Sequence, residues 1–141
     1  MPVPIRVDAQ GIDLSKRVQV YTTVDASPAL AAETIIATLN LAGFADTPIV
    51  SGAFLLGWAA YTVGTSGTAV RFRIRQTNVA GTVKADTGAL TGSQHGAGIL
   101  SDDNVAGFDT APVATYVLTM QVTAGAAAST VSALALAAIL I

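Results

Sequence analysis

The chain has no cysteine, one histidine, one tryptophan and only 11% charged residues. Without cysteine, disulfide staples and thiolate metal sites are excluded, and redox chemistry says nothing of the compartment. A single histidine, His95, rules out the histidine clusters of zinc sites. Nor is there an excess of positive charge. Seven Lys and Arg against nine Asp and Glu give a net charge of -2, which supplies no electrostatic reason to bind nucleic acid or an acidic membrane. The first sixteen residues lack the basic start and apolar core of a secretory signal peptide, so synthesis in the cytoplasm is expected, with lysis as a route out of the cell.

What the chain has in plenty is apolar surface: 52% of its 141 residues are hydrophobic. That length fits one domain with a real core, and the excess predicts burial in an assembly. The stretch from Val113 to Ile141 carries no charge at all. Its first half alternates Tyr116, Leu118, Met120 and Val122 with Val117, Thr119, Gln121 and Thr123, the pattern of a half-buried strand. The second half is apolar on both faces. Leu134, Leu136 and Leu140 are expected in the core. Val131, Ala133, Ala135, Ala137 and Ile139 are left for a neighbouring copy, where alanines would let strands of three subunits approach about an axis. A trimer is the expected state. A bilayer-spanning helix over Ala124 to Ile141 is the rival, but no flanking Lys or Arg supports it, and Gly125, Ser129, Thr130 and Ser132 weaken it; no membrane partner is expected.

Along the chain, Pro2, Pro4, Asp8, Gly11 and Asp13 make residues 1–16 an extended arm, whose Val3, Ile5 and Val7 alternate as in a strand and could clasp a partner. A single domain is expected over residues 17–141. Strands are predicted over Arg17 to Val24, over AETIIATLN with Ile35, Ala37 and Leu39 on one face, over Ile49 to Val63 with bends at Gly52 and Gly57, and over Thr68 to Gln76. Residues 82–84 should pair back after the NVAG turn. Asp86 to Ala111, rich in Gly, Asp, Ser and Thr, reads as long loops with short strands near Gly88 to Leu90 and Ala97 to Leu100. With the two C-terminal strands this makes an all-β, antiparallel β-sandwich with jelly roll as its topology.

Four polar features compete for a functional role. Arg71, Arg73 and Arg75 alternate on one strand face, where they could meet a phosphate, a sialylated glycan or an acidic partner, or simply form a solvated outer face or pair with acids of an adjacent strand or subunit; this plainer reading is favoured because no second basic cluster exists. Asp102, Asp103, Asn104 and Asp109 offer calcium the right oxygen chemistry on one expected loop, without the EF-hand spacing. Ser93 and His95 lie close in sequence, but a nucleophile needs a base and an orienting group, and no such set is encoded. Trp58 and Tyr61 are expected to pack in the core, with a ligand platform second. Neither enzymatic activity nor a cofactor or metal is expected.

The order AETIIATLN, GAFLLGWAAYTVGTSGTAVRFRIRQT, NVAGTV and YVLTMQVTAGAAASTVSALALAAILI resembles the small jelly-roll proteins of tailed bacteriophage virions, among them capsid decoration (cement) proteins with a tumour-necrosis-factor-like fold. The resemblance covers residues 17–141 as a pattern: an R-x-R-x-R strand after a Gly-bounded hairpin, and a closing hairpin at the C-terminal end. It implies a homotrimer on the outer capsid surface that braces major capsid subunits, often through a terminal arm. A ligand- or receptor-binding head using the Asp86 to Ala111 loops is the alternative.

Overall fold

The computed structural model describes residues 17–22, 32–41, 52–64, 68–90, 100–124 and 129–140. The expected arm, with Val3, Ile5 and Val7, lies outside these residues, as do Ser93 and His95. Eight strands are formed: β1 (Arg17–Thr22), β2 (Glu33–Asn40), β3 (Ala53–Val63), β4 (Ala69–Gln76), β5 (Val83–Asp86), β6 (Ser101–Asp109), β7 (Thr115–Ala124) and β8 (Ser129–Leu140). Alternation selects them. In β4, Val70, Phe72 and Ile74 are buried while the arginines between them face outward; in β7, Tyr116, Leu118, Met120 and Val122 are buried.

The strands form two antiparallel four-stranded sheets, ordered β1-β8-β3-β6 and β2-β7-β4-β5. This is a jelly roll. Successive strands cross from one sheet to the other except β4 and β5, which form a hairpin through residues 77–82, with Thr77 at φ 68° and Gly81 donating to the Asn78 carbonyl. The two other hairpins expected are crossovers instead, since β3 and β4, and likewise β7 and β8, lie in different sheets. Between the sheets pack Leu39, Leu55, Tyr61, Phe72, Ile74, Leu118, Met120, Leu134 and Leu136, with the rings of Tyr61 and Phe72 5.3 Å apart. Each such side chain contributes about 1.5–3 kcal/mol by leaving water.

Two bulges shift the phase that strict alternation predicts. Between Ile35 and Ala37 the β2 register slips, so Ile36 and Ala37 are both buried and Ile35 turns outward. On β8, Ala133 pairs with Ala60 but Val131 pairs with Tyr61, leaving Ser132 as the extra residue. An extra residue reverses the facing of all that precedes it. Val131 is therefore fully buried in the core and is removed from the expected outer face, whereas Leu134, Leu136 and Leu140 are buried as expected.

The larger correction concerns Ser101–Asp109, expected to be mostly loop and found as a nine-residue edge strand paired with β3. The short strand near Gly88 to Leu90 is a single bridge between Leu90 and Val70. Gly107 explains how β6 fits. A Cβ there would lie 2.2 Å from the Lys84 carbonyl oxygen, so only glycine lets the edge strands of the two sheets, β5 and β6, approach so closely.

Candidate interaction surface

The outer face of the β2-β7-β4-β5 sheet is a ladder of ion pairs. Register places Arg71, Arg73 and Arg75 of β4 opposite Gln121, Thr119 and Val117 of β7, and Glu33 of β2 opposite Gln121. Arg75 donates through both Nε and an Nη to the two Glu33 oxygens, at 2.8 and 2.9 Å. Arg71 grips Asp86 in the same two-pronged way, at 2.8 and 2.5 Å. Arg73 bridges the two acids, 3.2 Å from Glu33 and 3.3 Å from Asp86, and donates to Gln121 Oε1 at 2.8 Å. The paired form of the arginine pattern is thus present within one chain.

Ionisation follows from these contacts. The guanidinium of Arg71 holds the Asp86 carboxyl down at about 2, against the opposing effect of burial. Burial raises Glu33, but hydrogen bonds from Arg75, Thr119 and Arg73 outweigh it and leave the carboxyl below its ordinary value. An incoming anion would have to displace Glu33 or Asp86 from donors they already occupy.

Asp109, at the end of β6, is buried, yet every side of it is met by a donor. The Ala111 N–H reaches Oδ1 at 2.9 Å, while the Gln76 amide and the Tyr116 hydroxyl reach Oδ2 at 2.8 and 2.7 Å. Lys84 adds an ion pair at 3.2 Å from β5. Burial alone would raise the Asp109 pKa, but these bonds bring it to about 2, and the same contact with burial pushes the Tyr116 hydroxyl well above its ordinary value. The carboxylate ties the two sheets together at an edge.

The four oxygen-bearing residues weighed for calcium, Asp102, Asp103, Asn104 and Asp109, do not converge. Asp102 and Asn104 point outward from β6, Asp102 accepting a 3.0 Å bond from the Trp58 indole; Asp103 points inward to the Tyr61 hydroxyl; Asp109 lies at the strand's far end. No group of three or more His, Cys, Asp or Glu side chains converges as a metal site among the described residues. Tyr61 is a core residue as expected, but Trp58 stands half-buried on the outer face of its sheet.

That outer face, on the β1-β8-β3-β6 sheet, is the opposite of the ion-pair ladder. Register lines up Phe108, Phe54 and Ile139 in one row, Ala106, Leu56 and Ala137 in the next, and Asn104, Trp58 and Ala135 in the third. The rings of Phe54 and Phe108 touch, 4.8 Å between centroids. Phe54 is 52% exposed, Leu56 49%, Phe108 44% and Ile139 37%. Phe108 is held low by Gly52, where a Cβ would come within 2.3 Å of its ring. Ala133, Ala135 and Ala137 lie on this face with Ile139, so four of the five residues expected there are present. Phe54, Leu56, Trp58, Ala106 and Phe108 were not foreseen. The signal for the β3 members was available, because AFLLGWAAYTV is apolar at both parities, just as β8 is; Phe108 sits among acids and glycine in a segment that reads as loop.

No protein-family model and no curated protein sequence matches the chain. Solved structures do match in shape. The VP2 subviral particle of infectious bursal disease virus matches over 99% of this chain and 38% of its own, at 14% identity and a TM-score of 0.57. The T=1 particles derived from the same virus match over 99% and 36%, at 13% identity and a TM-score of 0.57. The chain thus spans a little over a third of the length of these capsid proteins. A protein of the disulfide-linked pili of Bacillus endospore appendages matches over 89% of both chains at 18% identity, with a TM-score of 0.44 that carries no weight for the assignment. At these identities the likeness establishes the β-sandwich fold and nothing finer.

Proposed function

We propose that the protein is a structural component of a virion, a homotrimeric decoration protein that sits on the outer capsid surface and braces neighbouring major capsid subunits. The observation that carries this reading is the apolar outer face of the β1-β8-β3-β6 sheet, which nothing within the described chain covers and which a protein acting alone has no use for. The jelly roll shared with the bursal disease virus capsid protein supports it at the level of fold. The protein works by burial and symmetry, without cofactor, metal or catalysis. In keeping with this, the carboxylates held at lowered pKa, Glu33, Asp86 and Asp109, are each tied to cations and donors of adjacent strands, as structural groups are.

The test is co-sedimentation of the purified protein with purified capsids stripped of it. Saturable binding that survives chelation and His95→Ala is expected, with weaker binding after deletion of residues 1–16. Failure to bind capsids, or loss of binding on chelation, overturns the proposal.

A further inference from the structure

The apolar face has a relief that identifies its partner. Its rows run from Ala53, Asp109 and Leu140 to Tyr61, Ser101 and Val131, nine residues along β3. With the three strands β8, β3 and β6 about 4.8 Å apart and about 3.3 Å per residue, the face measures roughly 30 by 14 Å, or about 420 Å² before side-chain relief is added. A standard stable interface takes about 800 Å² from each partner. This flat footprint, before the corrugation of two phenylalanines and a tryptophan is added, is about half of one partner's share. Its large apolar residues, Phe54, Phe108, Ile139 and Leu56, gather toward one end of the face, and the polar Asn104, Asp102 and Thr130 lie toward the other.

The relief is uneven. Phe54, Leu56 and Trp58 of β3, backed by Phe108 of β6, form a ridge over one half of the face. Beside it Ala133, Ala135 and Ala137 of β8 form a lane with nothing taller than a methyl group. A ridge next to a lane on one surface fits the lane and ridge of an identical surface, whereas an unrelated partner would need to carry this relief by coincidence.

We propose that this face closes on a second copy of the chain, ridge into lane, with Leu56 of one copy over Ala137 of the next and Trp58 over Ala135. The inference deepens the oligomer reading above and rests on it. About a three-fold axis each ridge enters the lane of the following copy; about a two-fold axis two copies exchange ridges.

The chain has no cysteine, so single-cysteine variants report cleanly. Leu56→Cys and Ala137→Cys, each alone and then mixed after exchange of subunits, are treated with a short bis-maleimide. The mixture should give several-fold more cross-linked dimer than either variant alone. No excess in the mixture overturns the proposal, as does cross-linking greatest for Leu56→Cys alone, which would mean ridge against ridge. Because a cysteine could disturb the packing, wild-type protein and Ala137→Trp, which fills the lane from outside the core, are also compared by native mass spectrometry. Wild-type oligomer and monomeric, folded Ala137→Trp support the contact; a wild-type monomer overturns it. These measurements contain no capsid, so the two readings fail separately. An oligomer cross-linked in this way that ignores capsids keeps the contact and removes the decoration role, and a dimer keeps the contact and removes the trimer.

Discussion

The two outer faces of this sandwich are built on similar strands and differ in who covers them. On the β2-β7-β4-β5 sheet the central strand presents Val117 and Thr119 outward, and both are fully buried, because the long stems of Arg73 and Arg75 lie across them while the guanidinium heads reach Glu33. On the β1-β8-β3-β6 sheet the equivalent positions of β8 are alanines, half-buried, and the residues beside them are Phe54 and Leu56. Three of the chain's seven Lys and Arg stand on the first face. The first face is covered within the chain; the second is left open by the described residues, and under the proposal above it is a second copy that covers it. A strand that is apolar on both faces is in this sense an address, because its outer residues gain nothing in an isolated subunit.

The strongest way to break that comparison is to place the same charge on neighbouring residues of β8. Leu136→Glu buries a carboxylate without a partner in the core and should cost more than about 4 kcal/mol, leaving no cooperative melt. Ala135→Glu, one residue away on the other face, should leave a folded domain with a near-normal melt and abolish self-association in native mass spectrometry. Loss of fold in both variants would show that the outer face is part of the subunit's own core.

A smaller effect is expected at the sheet edge. Asp109, held at about 2 in the fold against near 4 in an unfolded chain, contributes about 2–3 kcal/mol. Its folded pKa lies below the unfolded one, so this stability is complete above about pH 4 and is lost as the pH falls toward 2. Asp86, lowered to the same region but partly exposed, adds less over the same window. Melting temperature should therefore be flat from pH 7 to about 4.5 and fall steeply below. Asp109→Asn should melt lower at pH 7 and show a shallower acid limb; an unchanged limb would place the acid sensitivity elsewhere.

The ion-pair ladder should respond more weakly. Glu33→Gln removes the charge that Arg73 and Arg75 share and should cost about 1–2 kcal/mol, because both arginines lie largely out of water. Arg71→Ala, at the more exposed end, should lower the melting temperature less than Glu33→Gln does and lose that small effect in high salt. Neither substitution should alter self-association. If Glu33→Gln dispersed the oligomer, the division of labour between the two faces would be wrong.

Much of this was legible in residues read one strand at a time. The alternations of β4 and β7, and the two-faced apolar character of β8, each follow from side chains that point to opposite sides of an extended backbone, a property that needs no knowledge of the neighbours. The arginine pattern could be read as paired, but not with whom: Glu33 and Asp86 lie 42 and 15 residues from the arginines they grip, and only the strand order brings them together. Strand β6 was hidden because Ser101–Asp109 has the composition of a loop, and its pairing is supplied by β3, together with a glycine that admits β5. Phe108 was lost with it.

The sequence by itself determined that the chain would be an all-β sandwich without disulfides and that β8 would have an apolar side to spare, because strand periodicity and residue chemistry are local. The tertiary structure alone decided the phase of Val131, the partners of the three arginines and the ridge that stands beside the alanine lane. A bulge is set by which residues of two distant strands meet, and a surface patch by which strands lie side by side. Both depend on pairings between positions far apart in the chain, where no local pattern reaches.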